Sequence, residues 1–281
     1  MEKFLQQVEQ TEITHEDYTN ALTDHPKMPL YLSGNCRGIV SLWSLNQQAD
    51  RCLDAWLLEP EVPPHSANPR KATVKQIEFN SFGDRFTTLN LEGSLFVHNF
   101  ESNSLPLFKF KGQKLSHFCH LDPEGTVVAA VSYSNKTLCI IDTMLPLNHC
   151  VLASLKGTAA TLVLSDPYRQ RLYAFNAKPG VVTEYDLKKT CTQVQQKQLL
   201  KDEITSVLLV GHKGALVAVG STDGHIRIYD SSTWDLRETL SPFVSVQGKK
   251  GSVLAMKSHR ESGALFASSS AGCVKLVRFG F

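Results

Sequence analysis

Three groups of residues in the 281-residue sequence have types and spacings that could do chemistry. Ser221, Asp223 and His225 alternate within G-S-T-D-G-H-I-R-I-Y-D, residues 220–230. A hydroxyl, a carboxylate and an imidazole are the ingredients of acyl transfer. The surroundings argue against it. G-S-T-D-G is not the G-x-S-x-G elbow, whose serine sits centrally before a helix. T-D-G separates an apolar run from an alternating one, which reads as strand, tight turn, strand. Asp223 is therefore expected in the turn, with Gly224 supplying positive φ and Ser221 and His225 on the flanking strands. His117, Cys119 and His120 form the tightest His/Cys group, but on a strand 117 and 119 share a face and 120 points away. Three such ligands cannot converge on one zinc. Asp84, Asp122 and Asp166 recur at equivalent places, as a ring of carboxylates would, yet each adjoins Gly or Pro, so turn capping is expected.

The elements that must position these residues repeat. The turn of 220–230 returns at Gly38, Gly93, Lys136, Gly180 and Gly272, with successive spacings of 55, 43, 44, 44 and 48 residues when Gly224 is included. A period of roughly 40–45 residues built from short strands signals propeller blades. Each turn from the second onward follows an inner strand: 74–79, 115–120, 160–165, 204–209 and 252–257. Outer strands are expected at 105–110, 151–155 and 236–240. The expected fold is all-β: a six-bladed propeller with four antiparallel strands per blade, forming a single domain over 1–281. The last unit stops after its third strand. The first can take 18–23 as its inner strand, so a strand near Phe4–Ile13, within a lead-in of residues 1–17, is expected to close the last blade and cover its edge. Residues 59–71 hold four prolines in thirteen positions and read as a mobile loop between the first two blades.

Totals narrow the function. The formal net charge is +2 and 20% of residues are charged, too mild to imply nucleic-acid binding. The amino terminus lacks a signal-peptide pattern, and no apolar run approaches the length of a membrane span. Seven cysteines without a C-x-x-C pair read as reduced thiols of a cytoplasmic protein. There is no Gly-rich phosphate loop, no paired carboxylates on one element and no Cys/His dyad with an orienting partner. Inner strands offer Val, Ile, Leu, Ser, Thr and Ala with isolated Lys75, Glu78 and Lys257, not convergent charge. No enzyme, cofactor or metal is expected.

The endings I-Y-D, E-Y-D-L and S-L-W behind D-G or R-G turns resemble WD repeats. The stretches H-P-K-M-P-L-Y-L-S-G…R-G-I-V-S-L-W, V-K-Q-I-E-F-N-S-F-G-D-R-F, L-C-I-I-D-T-M-L-P and S-T-D-G-H-I-R-I-Y-D resemble, in order, the carboxy-terminal propeller of the DmX-like (rabconnectin) family, over about 18–281. That resemblance implies a non-catalytic interaction scaffold tied to assembly of the vacuolar proton-pumping ATPase and to vesicle acidification. It implies protein partners associated with that ATPase, and a place in the cytoplasm or, through a complex, at the periphery of endosomal or vesicle membranes. Two alternatives stay open: a phosphoinositide-binding propeller, against which the absence of an F-R-R-G-type motif counts, and a propeller enzyme. There are departures from the WD pattern. The Gly211-His212 pair follows an inner strand, in the wrong turn, and only the fifth unit keeps the turn aspartate. Stability is therefore expected to rest on apolar packing between blades.

Propeller topology also sorts the charges. The end that collects second-to-third-strand turns and blade-to-blade loops receives Arg37, Arg70, Lys71, Lys111, Lys114, Lys136, Lys156, Lys178, Lys201, Lys249 and Lys250. Against these stand Glu59, Glu61, Glu92, Asp202, Glu203 and Asp223. The opposite end carries Asp84, Asp122, Glu124, Asp166, Asp186, Asp230 and Asp235 in a more balanced set. A basic rim favours a protein partner with acidic segments. The alternative is that the lysines only keep loops soluble.

Overall fold

A computed structural model describes residues 19–44, 52–58, 72–102, 106–111, 113–189, 191–243, 251–258 and 265–277. The expected closing strand at 4–13 and the proline-rich 59–71 segment lie outside these residues. The described chain is built from six antiparallel sheets in sequence order. It divides into two compact units, Met1–Gln113 with Pro123–Gly125, and Lys114–Asp122 with Thr126–Phe281.

In the first unit, one sheet is β1 (Thr19–Asp24), β2 (Leu30–Asn35), β3 (Ile39–Ser44) and β4 (Asp54–Leu57). The second is β5 (Val74–Phe79), β6 (Arg85–Asn90), β7 (Leu95–Asn99) and β8 (Phe108–Phe110). Alternation drives the inward residues together: Leu32, Val40, Leu42, Trp56, Val74, Ile77, Phe86 and Phe96 form one buried cluster shared by the two sheets. Gly34 is glycine because a Cβ there would stand 2.5 Å from Val74 Cγ1. His25, in the β1–β2 turn, lies with Nε2 3.1 Å from the Gly83 carbonyl in the β5–β6 turn.

The second unit holds four sheets. They are β9 (Leu115–His120), β10 (Val127–Ser132), β11 (Leu138–Asp142) and β12 (Val151–Leu155); then β13 (Leu162–Asp166), β14 (Arg171–Asn176), β15 (Val181–Asp186) and β16 (Thr192–Gln198). After these come β17 (Ile204–Val210), β18 (Leu216–Ser221), β19 (Ile226–Asp230) and β20 (Leu236–Leu240), and finally β21 (Val253–Ser258), β22 (Leu265–Ser269) and β23 (Val274–Val277). Clusters bridge successive sheets: Ala129, Ile140, Val163 and Leu172; Tyr173, Phe175, Val217 and Trp234; Ala218, Ile228, Met256 and Leu265. Apolar side chains of neighbouring blades thus pack directly on one another. The last sheet shows three strands among the described residues.

All six turn positions that set the period have positive φ, from +53° at Lys136 to +85° at Gly93. Three inner strands begin where expected, at Val74, Leu115 and Ile204. β13 starts at Leu162 rather than 160, because Thr161 instead bonds across to the carbonyl of Phe175 and the amide of Ala177.

Candidate functional site

The fifth blade decides the Ser221–Asp223–His225 question. The Ser221 hydroxyl donates to Asp223 Oδ1 (2.5 Å), with the His225 carbonyl at 3.3 Å. The His225 amide donates to the same Oδ1 at 3.1 Å. Arg227 closes the set: it donates to Asp223 Oδ2 at 2.6 Å and to Ser221 Oγ at 2.9 Å. The His225 ring Nδ1 lies 3.2 Å from Asp223 Oδ2 but off the hydrogen-bonding direction. The serine is therefore bonded to the carboxylate, not to a base, and the carboxylate is neutralised by an arginine. Burial alone would raise the Asp223 pKa; hydrogen bonds from Arg227, Ser221 and the His225 amide outweigh it and hold the carboxyl well below the usual range. This is a turn lock. Arg227 went unremarked in the sequence because the turn, not the spacing, brings it back over Asp223.

The other candidates resolve in the same direction. Asp122 accepts from the Thr126 and Val127 amides at 3.1 and 2.8 Å and from the Thr126 hydroxyl at 2.5 Å, capping the β9–β10 turn. Asp166 caps its turn through the Tyr168 and Arg169 amides, each at 3.1 Å. Asp84 accepts from Asn80 Nδ2 at 2.6 Å. Cys119 packs into the apolar cluster between two sheets, and His117 Nδ1 lies 3.4 Å from the Val163 amide. Among the described residues, no three His, Cys, Asp or Glu side chains are arranged to hold a metal ion. All seven cysteines are free thiols.

One polar network lies beyond what the spacing showed. Asp166 is 0% exposed and accepts from the Tyr173 hydroxyl at 3.2 Å. Burial, then the Asp166 charge, pushes the Tyr173 pKa upward. Glu184 accepts from Gln195 (2.7 Å) and Trp234 Nε1 (3.3 Å) and pairs with Arg171 Nε at 3.0 Å. Arg171 also reaches Asp186 at 2.5 Å, and that hydrogen bond holds the Asp186 carboxyl below its ordinary pKa. Asp166 and Asp186 are thus buried and engaged, not part of an acidic surface, and half-buried Asp223 is engaged by Arg227. Apolar packing is supplemented here by polar bonds between the fourth and fifth blades. Trp234 and Glu184 are fifty residues apart and in different blades, so only the packing of one sheet on the next reveals the pair.

The basic residues sort as follows. In the first unit, Arg37 lies in the β2–β3 turn and Lys111 directly after β8, both exposed. In the second, Lys114 precedes β9, Lys136 sits in the β10–β11 turn, Lys156 follows β12 and Lys178 sits in the β14–β15 turn. Hydrogen bonds tie these segments together at one end of the third and fourth blades. The Tyr133 amide donates to the Lys114 carbonyl (2.5 Å), Thr158 Oγ1 to the Lys136 carbonyl (2.8 Å), and the Ala177 amide to Thr161 Oγ1 (2.9 Å). Lys201 is followed by exposed Asp202 and Glu203, where the basic run ends. Arg70, Lys71, Lys249 and Lys250 lie outside the described residues. Lys136 stands out. Its φ of +53° fills the place that glycine takes in the other five blades, and a left-handed non-glycine residue costs roughly 1 kcal/mol. Its ammonium lies 4.9 Å from the centroid of the Tyr133 ring.

Residues 190–230 match the WD domain, G-beta repeat family. The chain is similar to DmX-like protein 1 of Homo sapiens, at 25% identity over 245 residues, and of Mus musculus, at 24% over 234. These alignments cover 82% and 78% of this chain, which spans only 7% of the length of either relative. Its fold matches the crystal structure of RRP9 WD40 repeats with a TM-score of 0.72 at 14% identity, covering 94% of this chain and 77% of that one. One repeat, 190–230, thus matches the WD family, and the six sheets correspond to the blades of a propeller fold of the WD40 type.

Proposed function

We propose that this domain is a non-catalytic protein-interaction platform whose basic blade ends receive acidic segments of a partner. One observation carries the reading: the Ser221/Asp223/His225 constellation is spent on locking its own turn, through Arg227, while lysines stand exposed at the turn-bearing end of the blades. WD40 propellers typically act as such scaffolds. The likeness to DmX-like protein 1 supports a more specific role, in the assembly of the vacuolar proton-pumping ATPase and in vesicle acidification, at the cytoplasmic periphery of endosomal or vesicle membranes. No helix among the described residues is long and apolar enough to cross a membrane, so on this reading membrane association runs through the complex.

Affinity capture with the 281-residue chain, quantified by mass spectrometry against a turn-disrupted Gly224→Val control, tests both levels. Enrichment of subunits of that ATPase is expected. Enrichment of other proteins alone removes the ATPase assignment, and enrichment of none removes the platform reading.

A further inference from the structure

Lys136 is a conspicuous misfit of the repeat. A lysine holds a left-handed position that glycine fills in every other blade. Strain retained at one repeat of six points to a use for the side chain. Around it the surface is built, not scattered. Lys136 spans the ring of Tyr133, which is 63% exposed, and Tyr133 is bonded through its amide to Lys114. The connector 156–161, K-G-T-A-A-T, runs from Lys156 past Thr158, which holds the Lys136 carbonyl, to the β14–β15 turn and Lys178. The segments 113–116, 131–138, 155–162 and 175–181 contain no aspartate or glutamate. Nothing stands within 4 Å of where a Cβ on Gly157 would lie, so a second main chain can approach the connector closely.

We propose that Tyr133, Lys136, Lys156 and the open Gly157 connector, flanked by Lys114 and Lys178, form a docking site for an extended acidic protein segment. An apolar side chain of that segment lies on the Tyr133 ring and its carboxylates meet the lysines. The inference rests on the interaction-platform reading and deepens it by naming the blades and the partner chemistry. Charge complementarity and the exposed, cation-braced tyrosine carry it: aromatic side chains are the usual anchors of binding surfaces, and a lysine fixed over a ring is ordered before the partner arrives. An anionic membrane is the less favoured occupant. Polybasic lipid sites gather several more cations close together, whereas these four lysines are strung along two blades beside a floor of small residues.

The test begins with a random twelve-residue display library panned on the 281-residue chain, followed by fluorescence anisotropy of a recovered peptide. Recovered peptides should be rich in Asp and Glu with an apolar residue among them. Lys136→Glu combined with Lys156→Glu should weaken binding by about tenfold at low salt and by much less at high salt, because exposed charge pairs are screened. Lys136→Gly separates binding from folding. It should weaken binding by about threefold while the melting temperature stays level or rises, since glycine relieves the left-handed strain. A lysine retained only for the fold would lower the melting temperature instead. Peptides not enriched in carboxylates, or a fall in melting temperature with unchanged binding for Lys136→Gly, overturn the proposal. So does sedimentation with phosphatidylserine vesicles that the double variant abolishes while no peptide binds. Acidic peptides that bind both variants like wild type remove this site but leave the platform reading standing. Failure of both the library and lysate capture removes the two together.

Discussion

His98 makes the first unit of this domain acid-sensitive by an amount that follows from its surroundings. It lies on β7, 1% exposed, with its ring stacked on Phe86 at 4.9 Å and 8° and neighbouring Phe96 at 6.4 Å. Neither ring nitrogen has a hydrogen-bond partner among the described residues. Burial lowers its pKa from 6.5 to about 4, because the imidazolium cannot be hydrated there. The sign follows by linkage. Above pH 6.5 the ring is neutral in folded and unfolded chains alike and contributes nothing pH-dependent. Between pH 6.5 and 4 the unfolded chain takes up a proton that the folded chain refuses, so stability falls with falling pH. Below pH 4 both forms are protonated and the loss levels off. At about 1.4 kcal/mol per pH unit, the full loss is about 3 kcal/mol, a sizeable part of ordinary domain stability. Urea unfolding of wild type and His98→Phe from pH 7.5 to 4 measures it. Phenylalanine keeps the stack and removes the titration, and its packing cost is the same at every pH. The stability difference between the two proteins should move by about 3 kcal/mol in favour of the variant across the window. Parallel curves would refute the reasoning.

Three further substitutions probe the fold around the candidate site. Gly224→Val forces a β-branched residue to φ +80° and sets its Cβ 2.8 Å from the Gly251 carbonyl; a loss of about 3 kcal/mol or more in thermal or urea unfolding is expected. Asp223→Asn breaks the charge-assisted bonds to Arg227 and should cost about 2 kcal/mol near neutral pH. Because the Asp223 pKa is depressed, that difference should persist down to about pH 4 and fade only in stronger acid, as urea midpoints across pH would show. Trp234→Phe keeps a ring at a site 1% exposed but deletes the bond to Glu184; about 1–2 kcal/mol should be lost in urea unfolding.

The fold was legible because the repeat is written in its turns. Gly38, Gly93, Lys136, Gly180, Gly224 and Gly272 stand out by the recurring strand–turn–strand pattern, and each has the positive φ that a two-residue hairpin turn demands. The inner strands announce themselves by alternation, so Val74–Phe79 and Leu115–His120 carry the expected bounds. Charges were harder. Asp166 and Asp186 look like surface acids in a turn-rich sequence, and become buried acceptors only when Tyr173 and Arg171 are set beside them by the β13–β14–β15 register. Arg227 escaped notice for the related reason that a hairpin folds residue 227 back over residue 223. The strain at Lys136 was equally hidden: spacing shows that a lysine replaces glycine, but not that it keeps glycine's backbone conformation.

Lysine-reactivity footprinting tests the central claim most directly. The chain is acetylated at low reagent concentration, alone and in complex with the partner recovered by capture, and each lysine is quantified. The account predicts that Lys114, Lys136, Lys156 and Lys178 lose reactivity in the complex, while Lys188, Lys189 and Lys257, at the other end of their blades or on an inner strand, keep it. Protection confined to that second group, or reactivity unchanged at all seven, would contradict it.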